Sequence, residues 1–171
     1  MKRVFVELDK CLGCHSCMIA CAVEHSSTKD LFTAVYEKPL PRARIEVKAG
    51  KEGSNFPLQC RHCEEPYCVD ACIAGAIRKD VKTGLVLADE EKCVGCWMCV
   101  MVCPFGVIRP SLLVGKQEKT AVRCDLCQDR EIPACVEACP TGALFFGEIE
   151  DFKKAVSSRA RREGNALSNN R

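Results

Sequence analysis

Apolar residues along this chain come in short bursts. Val4-Phe5-Val6-Glu7-Leu8 and Leu85-Val86-Leu87 are brief runs of strand-forming residues, and Arg44-Ile45-Glu46-Val47 alternates polar and apolar positions as a half-buried strand does. Pro39 and Pro41 break any helix in the segment before it, and Gly50-Lys51-Glu52-Gly53-Ser54-Asn55 reads as a turn. From Ser111 to Arg123 the pattern predicts two short strands around Gly115-Lys116-Gln117-Glu118. Helical periodicity is clearest near the C-terminus, where Ile149, Phe152 and Val156 stand at i, i+3 and i+7 and Glu150 and Lys154 at i and i+4. This predicts a basic amphipathic helix from Glu148 to Arg162 that ends near Gly164 and docks on the chain's own core or, as the alternative, on a partner subunit. A polar, disordered tail is expected from Asn165 to Arg171.

Between these bursts stand the cysteines, sixteen in 171 residues. They form four groups of four: Cys11, Cys14, Cys17, Cys21; Cys60, Cys63, Cys68, Cys72; Cys93, Cys96, Cys99, Cys103; and Cys124, Cys127, Cys135, Cys139. The groups repeat in an A, B, A, B order. The first and third share an approach, Asp9-Lys10-Cys11-Leu12-Gly13-Cys14 beside Glu91-Lys92-Cys93-Val94-Gly95-Cys96. The second and fourth share an exit, Pro66-Tyr67-Cys68-Val69-Asp70-Ala71-Cys72 beside Pro133-Ala134-Cys135-Val136-Glu137-Ala138-Cys139. Gly75, Gly106 and Gly142 follow the last cysteine of three groups and suit a turn with positive φ before a covering strand. Each repeat reads as strand, cysteine loop, short helix, strand.

The third group spells C-x2-C-x2-C-x3-C-P, the run that holds [4Fe–4S] clusters, in which the fourth cysteine serves a neighbouring cluster. Four such groups imply four [4Fe–4S] clusters. They can pair sequentially (first with second, third with fourth) or in a nested way. Only Ile73 to Lys92 separate groups two and three, which favours nesting. The expected quartets are then Cys11, Cys14, Cys17 and Cys139 (quartet I); Cys60, Cys63, Cys68 and Cys103 (quartet II); Cys72, Cys93, Cys96 and Cys99 (quartet III); and Cys21, Cys124, Cys127 and Cys135 (quartet IV). The fold class that follows is α+β, with two ferredoxin-like lobes of two clusters each and one lobe inserted in the other. Its expected divisions are a half-lobe at 1–35, an insertion at 36–55, an inner lobe at 56–110, a half-lobe at 111–147 that completes the outer lobe, and a C-terminal helix and tail at 148–171.

Composition narrows the alternatives. Cysteine at this density means a disulfide scaffold in a secreted chain and metal ligands in an intracellular one. Met1-Lys2-Arg3 runs straight into a short charged segment with no secretory h-region, no twin-arginine leader is visible, and no apolar run approaches a membrane span. The expectation is a soluble cytoplasmic protein with reduced thiols. Four-cysteine zinc sites use two C-x2-C pairs, and leave unexplained both the third cysteine at x2 in groups one and three and the x3 spacing in every group. The formal charge of +2 treats thiols as neutral. Thiolates on iron–sulfide cores make the loaded protein more negative, so Lys10, Lys92, Arg61, Arg123, Arg78 and Arg109 read either as cations beside the ligands or as ordinary solvated surface charges. His15, His25 and His62 read as donors to cluster sulfur or as surface groups, since the cysteine sets are already complete. Trp97 is placed to shield a cluster from water, and Met98 and Met101 to pack nearby. No phosphate-binding glycine loop, free nucleophile or long basic run appears, so neither a catalytic site nor nucleic-acid binding is expected.

With these residues in view, the chain resembles the four-cluster iron–sulfur electron-transfer subunits, similar to the small subunits of dimethyl sulfoxide reductases, formate dehydrogenases, formate hydrogenlyases and tungsten aldehyde oxidoreductases. The resemblance runs from about Val4 to Phe146 and rests on all sixteen cysteines. It implies the nested pairing and a subunit with no substrate site of its own. Cys17-Met18-Ile19-Ala20-Cys21-Ala22-Val23-Glu24-His25-Ser26, Pro57-Leu58-Gln59-Cys60-Arg61-His62-Cys63 and the run from Cys93 to Ile108 look most like the electron-transfer subunit of carbon monoxide dehydrogenase. That likeness implies single-electron relay between carbon monoxide dehydrogenase and a hydrogenase or a flavin-dependent NAD(P) reductase. The equivalent subunit of an aldehyde oxidoreductase, formate dehydrogenase or hydrogenase complex is the alternative, with a structural or filament-forming bridge a further one. Group one lacks the Cys-Pro-x-Gly exit and group two the proline, and neither departure removes a ligand.

Overall fold

The computed structural model describes residues 1–112 and 119–168, with side chains as far as residue 158. Its order is β1 (Arg3–Val6), α1 (Ser16–Glu24), α2 (Leu31–Ala34), β2 (Ile45–Ala49), β3 (Asn55–Gln59), α3 (Tyr67–Asp70), β4 (Ile77–Lys79), β5 (Val86–Ala88), α4 (Met98–Val102), β6 (Arg109–Leu112), β7 (Lys119–Val122), α5 (Ala134–Glu137), β8 (Leu144–Gly147) and α6 (Ile149–Ser168). The strands form four antiparallel pairs: β1 with β8, β2 with β3, β4 with β5, and β6 with β7. The first strand and the last close on each other, with Arg3 opposite Gly147 and Val6 opposite Leu144.

The four helices of the cysteine groups start in the same way. Each begins one residue before the group's third cysteine, so Cys17, Cys68, Cys99 and Cys135 are each the second residue of their helix. In α1 the x3 spacing puts Cys21 four residues on, along the same helix face, whereas Cys72, Cys103 and Cys139 stand just beyond the ends of α3, α4 and α5. Loops entering α1 and α4 wind alike, through left-handed Gly13 and His15 in one and Gly95 and Trp97 in the other. Gly95 has a second reason to be glycine: a Cβ there would lie 2.8 Å from the Lys119 Cβ and 3.2 Å from its carbonyl oxygen. At the exits, Gly75, Gly106 and Gly142 take the expected positive φ, and each N–H donates to the carbonyl of the preceding group's last cysteine at 3.0–3.2 Å.

Helix α1 packs on α5, and α3 on α4. Two apolar clusters result. One gathers Val4, Ile45, Val47, Leu85, Leu126 and Leu144 with Cys17, Cys21, Cys124 and Cys135. The other gathers Ile77, Val86, Ile108 and Ala121 with Cys99. The segment 36–55, expected as a surface insertion, therefore contributes to the core: Ile45 is 2% exposed and Val47 packs beside Cys17 and Cys21.

Strands β6 and β7 stand where two strands were expected, and the turn residues Gly115 to Glu118 lie outside the described residues. Strand β1 ends two residues short of Leu8, where Leu8–Lys10 makes a 3-10 turn that delivers Cys11. Helix α6 begins as expected but does not stop near Gly164, and its backbone runs to Ser168. An internal glycine costs only about 1 kcal/mol against alanine, and no proline follows to end the helix. So the expected tail is helical through residue 168, and 169–171 lie outside the described residues. Phe152 anchors α6 by stacking on Phe5 at 5.1 Å and meeting Phe145 at 5.8 Å between ring centroids.

Candidate functional site

Three hollows in the molecule are each lined by four cysteines. The first, of about 20 Å³, is lined by Cys72, Cys93, Cys96 and Cys99 with Ala74, Ala76, Ile77, Ala121 and Trp97. Another of about 20 Å³ has Cys60, Cys63, Cys68 and Cys103 on its wall with Pro66, Val86, Phe105, Ile108 and Arg123. The third, also of about 20 Å³, has Cys11, Cys14, Cys17 and Cys139 with Val47, Pro57, Thr141 and Leu144. Each combines three cysteines of one group with a single cysteine of another. The remaining four, Cys21, Cys124, Cys127 and Cys135, are all buried, and Cys21 acts electrostatically on the other three.

The thiols are held in a state that suits a positively charged core. Burial pushes Cys17, Cys99 and Cys127 up to about 11, with neighbouring cysteines adding to the rise. Burial drives Cys124 and Cys135 higher still. Four thiolates crowded into an apolar hollow repel one another and lack water, so bound metal is what neutralises them. Two edges run the other way. The Ser16 hydroxyl and N–H hold the Cys14 thiol below its ordinary value. At Cys139 burial raises the thiol, but the Leu144 N–H and the Thr141 hydroxyl outweigh it. An all-sulfur donor set selects zinc or iron–sulfur chemistry. Three cysteines of one group joined by a single cysteine of another, at x2 and x3 spacings, are the donor arrangement of neighbouring clusters and not of a tetrahedral zinc knuckle built from two C-x2-C pairs. The residues present therefore fit [4Fe–4S] clusters.

Donors also reach the sulfurs. The Arg44 N–H donates to the Cys21 Sγ at 3.2 Å and the His62 N–H to the Cys60 Sγ at 3.5 Å. Of the six candidate cations, Arg123 donates to the Sγ atoms of Cys68 and Cys60, at 3.6 and 3.5 Å. Arg61 lines the Cys60 hollow and lies over the Phe105 ring, 4.2 Å from its centroid. Lys10 pairs instead with Glu7, Lys92 with Asp89 and Arg109 with Glu46. Arg78 lines a separate polar hollow with Arg44, Glu90 and Asp125.

The histidines separate into three roles. His15 is exposed on the wall of the Cys11 hollow. His62 is 1% exposed; burial lowers it to about 4, and its Nδ1 accepts the Val86 N–H at 3.1 Å. His25 takes the expected place beside a cysteine sulfur and adds an ion pair that was not expected. Its Nδ1 bonds the Cys21 carbonyl at 2.7 Å and lies 3.7 Å from the Cys21 Sγ, and its Nε2 donates to Asp125 at 3.2 Å. Burial opposes its protonation, but Asp125 and Cys21 together raise it to about 10. Asp125 also accepts from Arg44 Nη1 at 2.8 Å, while Arg44 Nη2 reaches Glu90 at 2.8 Å. His25, Asp125 and Cys127 bring ligand-type atoms within 4.8 Å of one another. The ion pair and the cysteine quartet already account for that cluster. Arg44, Glu90 and Asp125 were missed in the sequence. The one available signal was the position of Asp125 directly after Cys124. Trp97 does line the hollow of Cys93, Cys96 and Cys99. Met98 and Met101, expected to pack, are 38% and 70% exposed. Helix α4 turns Cys99 inward, which leaves Met98 and Met101 on its outer side.

Among the described residues no helix is long and apolar enough to cross a membrane. Two family models match the chain: a 4Fe-4S dicluster domain over residues 52–149 and a 4Fe-4S binding domain over residues 8–24. The chain is 40% identical to an iron-sulfur protein of Rhodospirillum rubrum, over 94% of this chain and 89% of that one. It is 36% identical to the electron transport protein HydN of Escherichia coli, over 93% and 95%. It is also 33% identical to the protein NrfC of Escherichia coli, over 90% and 68%.

Proposed function

Because the chain belongs to the 4Fe–4S dicluster family and carries multiple [4Fe–4S] clusters, we propose that it holds four of them and serves as the non-catalytic electron-transfer subunit of a cytoplasmic oxidoreductase complex. The observation that carries this reading is the make-up of the hollows, three cysteines from one group and one from another. It favours the nested quartets I to IV and two lobes, groups two and three inside groups one and four. The packing of α1 on α5 and of α3 on α4 points the same way. The clusters, when bound, supply one-electron couples. The chain's own residues space them, exclude water with apolar walls such as Ala76, Ile77 and Val47, and donate hydrogen bonds to sulfur from Arg44, His62 and Arg123. Cys14 and Cys96 are the two exposed cysteines, one in quartet I and one in quartet III, and quartet IV is wholly buried. In this reading the outward-facing ends of the relay are therefore quartets I and III.

The catalytic partner we favour is carbon monoxide dehydrogenase, on the residue resemblance at Cys17 to Ser26, Pro57 to Cys63 and Cys93 to Ile108, with a hydrogenase or flavin-dependent NAD(P) reductase on the other side. Anaerobic reconstitution tests the cluster reading. About sixteen irons per chain with visible absorbance bleached by reductant is the expected result. About four zincs and a colourless protein would overturn it. Affinity purification from the native cell, with partners identified by mass, tests the partner assignment.

A further inference from the structure

Arg123 is 3% exposed, yet among the described residues it makes no ion pair with a carboxylate. The nearby acids are committed elsewhere, since Asp125 and Glu90 both pair with Arg44. Its guanidinium donates from Nη2 to the Val86 carbonyl and the Cys60 sulfur and from Nη1 to the Cys68 sulfur, and its buried Nε has no partner. A buried cation with no counter-charge loses its hydration and gains nothing in return, which is strongly destabilising. The negative charge within reach is that of the Cys60 and Cys68 sulfurs. At both thiols burial is the largest influence, and Arg123 is the next, opposing it.

We propose that Arg123 is the built-in counter-ion of the cluster held by quartet II and sets that cluster's reduction potential above its neighbours'. The proposal rests on the cluster reading given above. Reduction adds one electron to the cluster and its four thiolates. A fixed guanidinium on two of those sulfurs stabilises the more negative, reduced form through charge-assisted hydrogen bonds in a site with little water. Lysine cannot reproduce the fork to two sulfurs, but it keeps the charge. In quartet IV the Cys21 sulfur has His25 Nδ1 at 3.7 Å and the Arg44 N–H at 3.2 Å, but His25 is already paired with Asp125, and among the described residues no other guanidinium forks to two cluster sulfurs. Arg123 also sits immediately before Cys124, a member of quartet IV, and it lines the polar hollow of about 250 Å³ that Arg78, Glu90, Cys124 and Asp125 share. The cation thus stands where groups two and four meet.

The test is an anaerobic potentiometric titration of the full holo-chain followed by EPR, on the parent, R123Q and R123K, with iron counted for each. Cys63→Ser, which alters a quartet II sulfur that Arg123 does not touch, marks which signal belongs to quartet II. In R123Q that signal should become at least tenfold harder to reduce at fixed potential, equivalent to 59 mV for a one-electron couple, while the other signals stay within threefold. In R123K it should recover most of the way to the parent. The proposal is overturned if every couple in R123Q stays within threefold with iron retained, if a signal other than the one marked by Cys63→Ser moves, or if R123Q and R123K shift equally. It is also overturned if both variants lose iron alike, which would make Arg123 a folding residue only. A parent that shows no iron–sulfur couples fails the cluster reading itself, so the two failures are told apart.

Discussion

Asp125 faces two cations at once, His25 at 3.2 Å and Arg44 at 2.8 Å, and its carboxyl is held well below the usual carboxylate range by those partners, although burial works against it. Partly buried charge-assisted bonds of this kind stabilise more than surface pairs do. Asp125→Asn should destabilise the holo-protein by about 2 kcal/mol at neutral pH, measured by urea unfolding. The pH dependence has a definite sign. The raised His25 contributes stability that is fully present below its ordinary value near 6.5 and is lost as pH rises through about 10. The gap between the parent and Asp125→Asn should therefore narrow in the alkaline range, and a gap that widens there would refute the ion-pair account. The four cysteine groups were legible at this scale because their spacing is local. The His25–Asp125 and Arg44–Asp125 pairs were not, because their members stand 100 and 81 residues apart.

Elements were legible as far as short-range chemistry reached. The burst Val4 to Leu8, the alternation at Arg44 to Val47 and the heptad-like stripe from Ile149 each marked an element that exists, with ends shifted by a few residues. What each element packs on was not legible. The alternation at Arg44 to Val47 marked a half-buried strand, but not that Ile45 and Val47 pack onto the Cys17 and Cys21 helix or that residues 55–59 complete a hairpin with it. In α6 the stripe promised three anchors, but Phe152 carries the contact with Phe5 and Phe145 while Ile149 is 40% exposed. Phe152→Ala should cost about 2 kcal/mol, less than a fully buried phenylalanine, and should release the amides of α6 to fast hydrogen exchange. Iron content should not change. If α6 stays protected in that variant, another contact holds it.

At the scale of the molecule the proposed nested arrangement would lend ligands across groups, and Cys103 gives it a sharp test. It belongs to the third group by sequence but lines the hollow of Cys60, Cys63 and Cys68. Cys103→Ala should remove up to about four irons per chain and erase the EPR signal that Cys63→Ser alters, leaving the one that Cys96→Ser alters. The reverse pattern would restore sequential pairing. The number of groups and the A, B, A, B order were legible because repeats are written in the chain, whereas which groups come to lie side by side is a property of closure, set by α1 against α5 and by β1 against β8. That closure also has a consequence in time. Strand β1 hydrogen-bonds with residues 144–147, nearly the whole chain away. At ribosomal speeds of about 5–20 residues per second, the N-terminal strand waits roughly 7–28 s for its mate. Throughout that interval the thiols of Cys11, Cys14 and Cys17 emerge without Cys139 to complete their hollow. The newborn N-terminus is thus the part of this protein most exposed to stray oxidants and wrong metals, and the last to become safe.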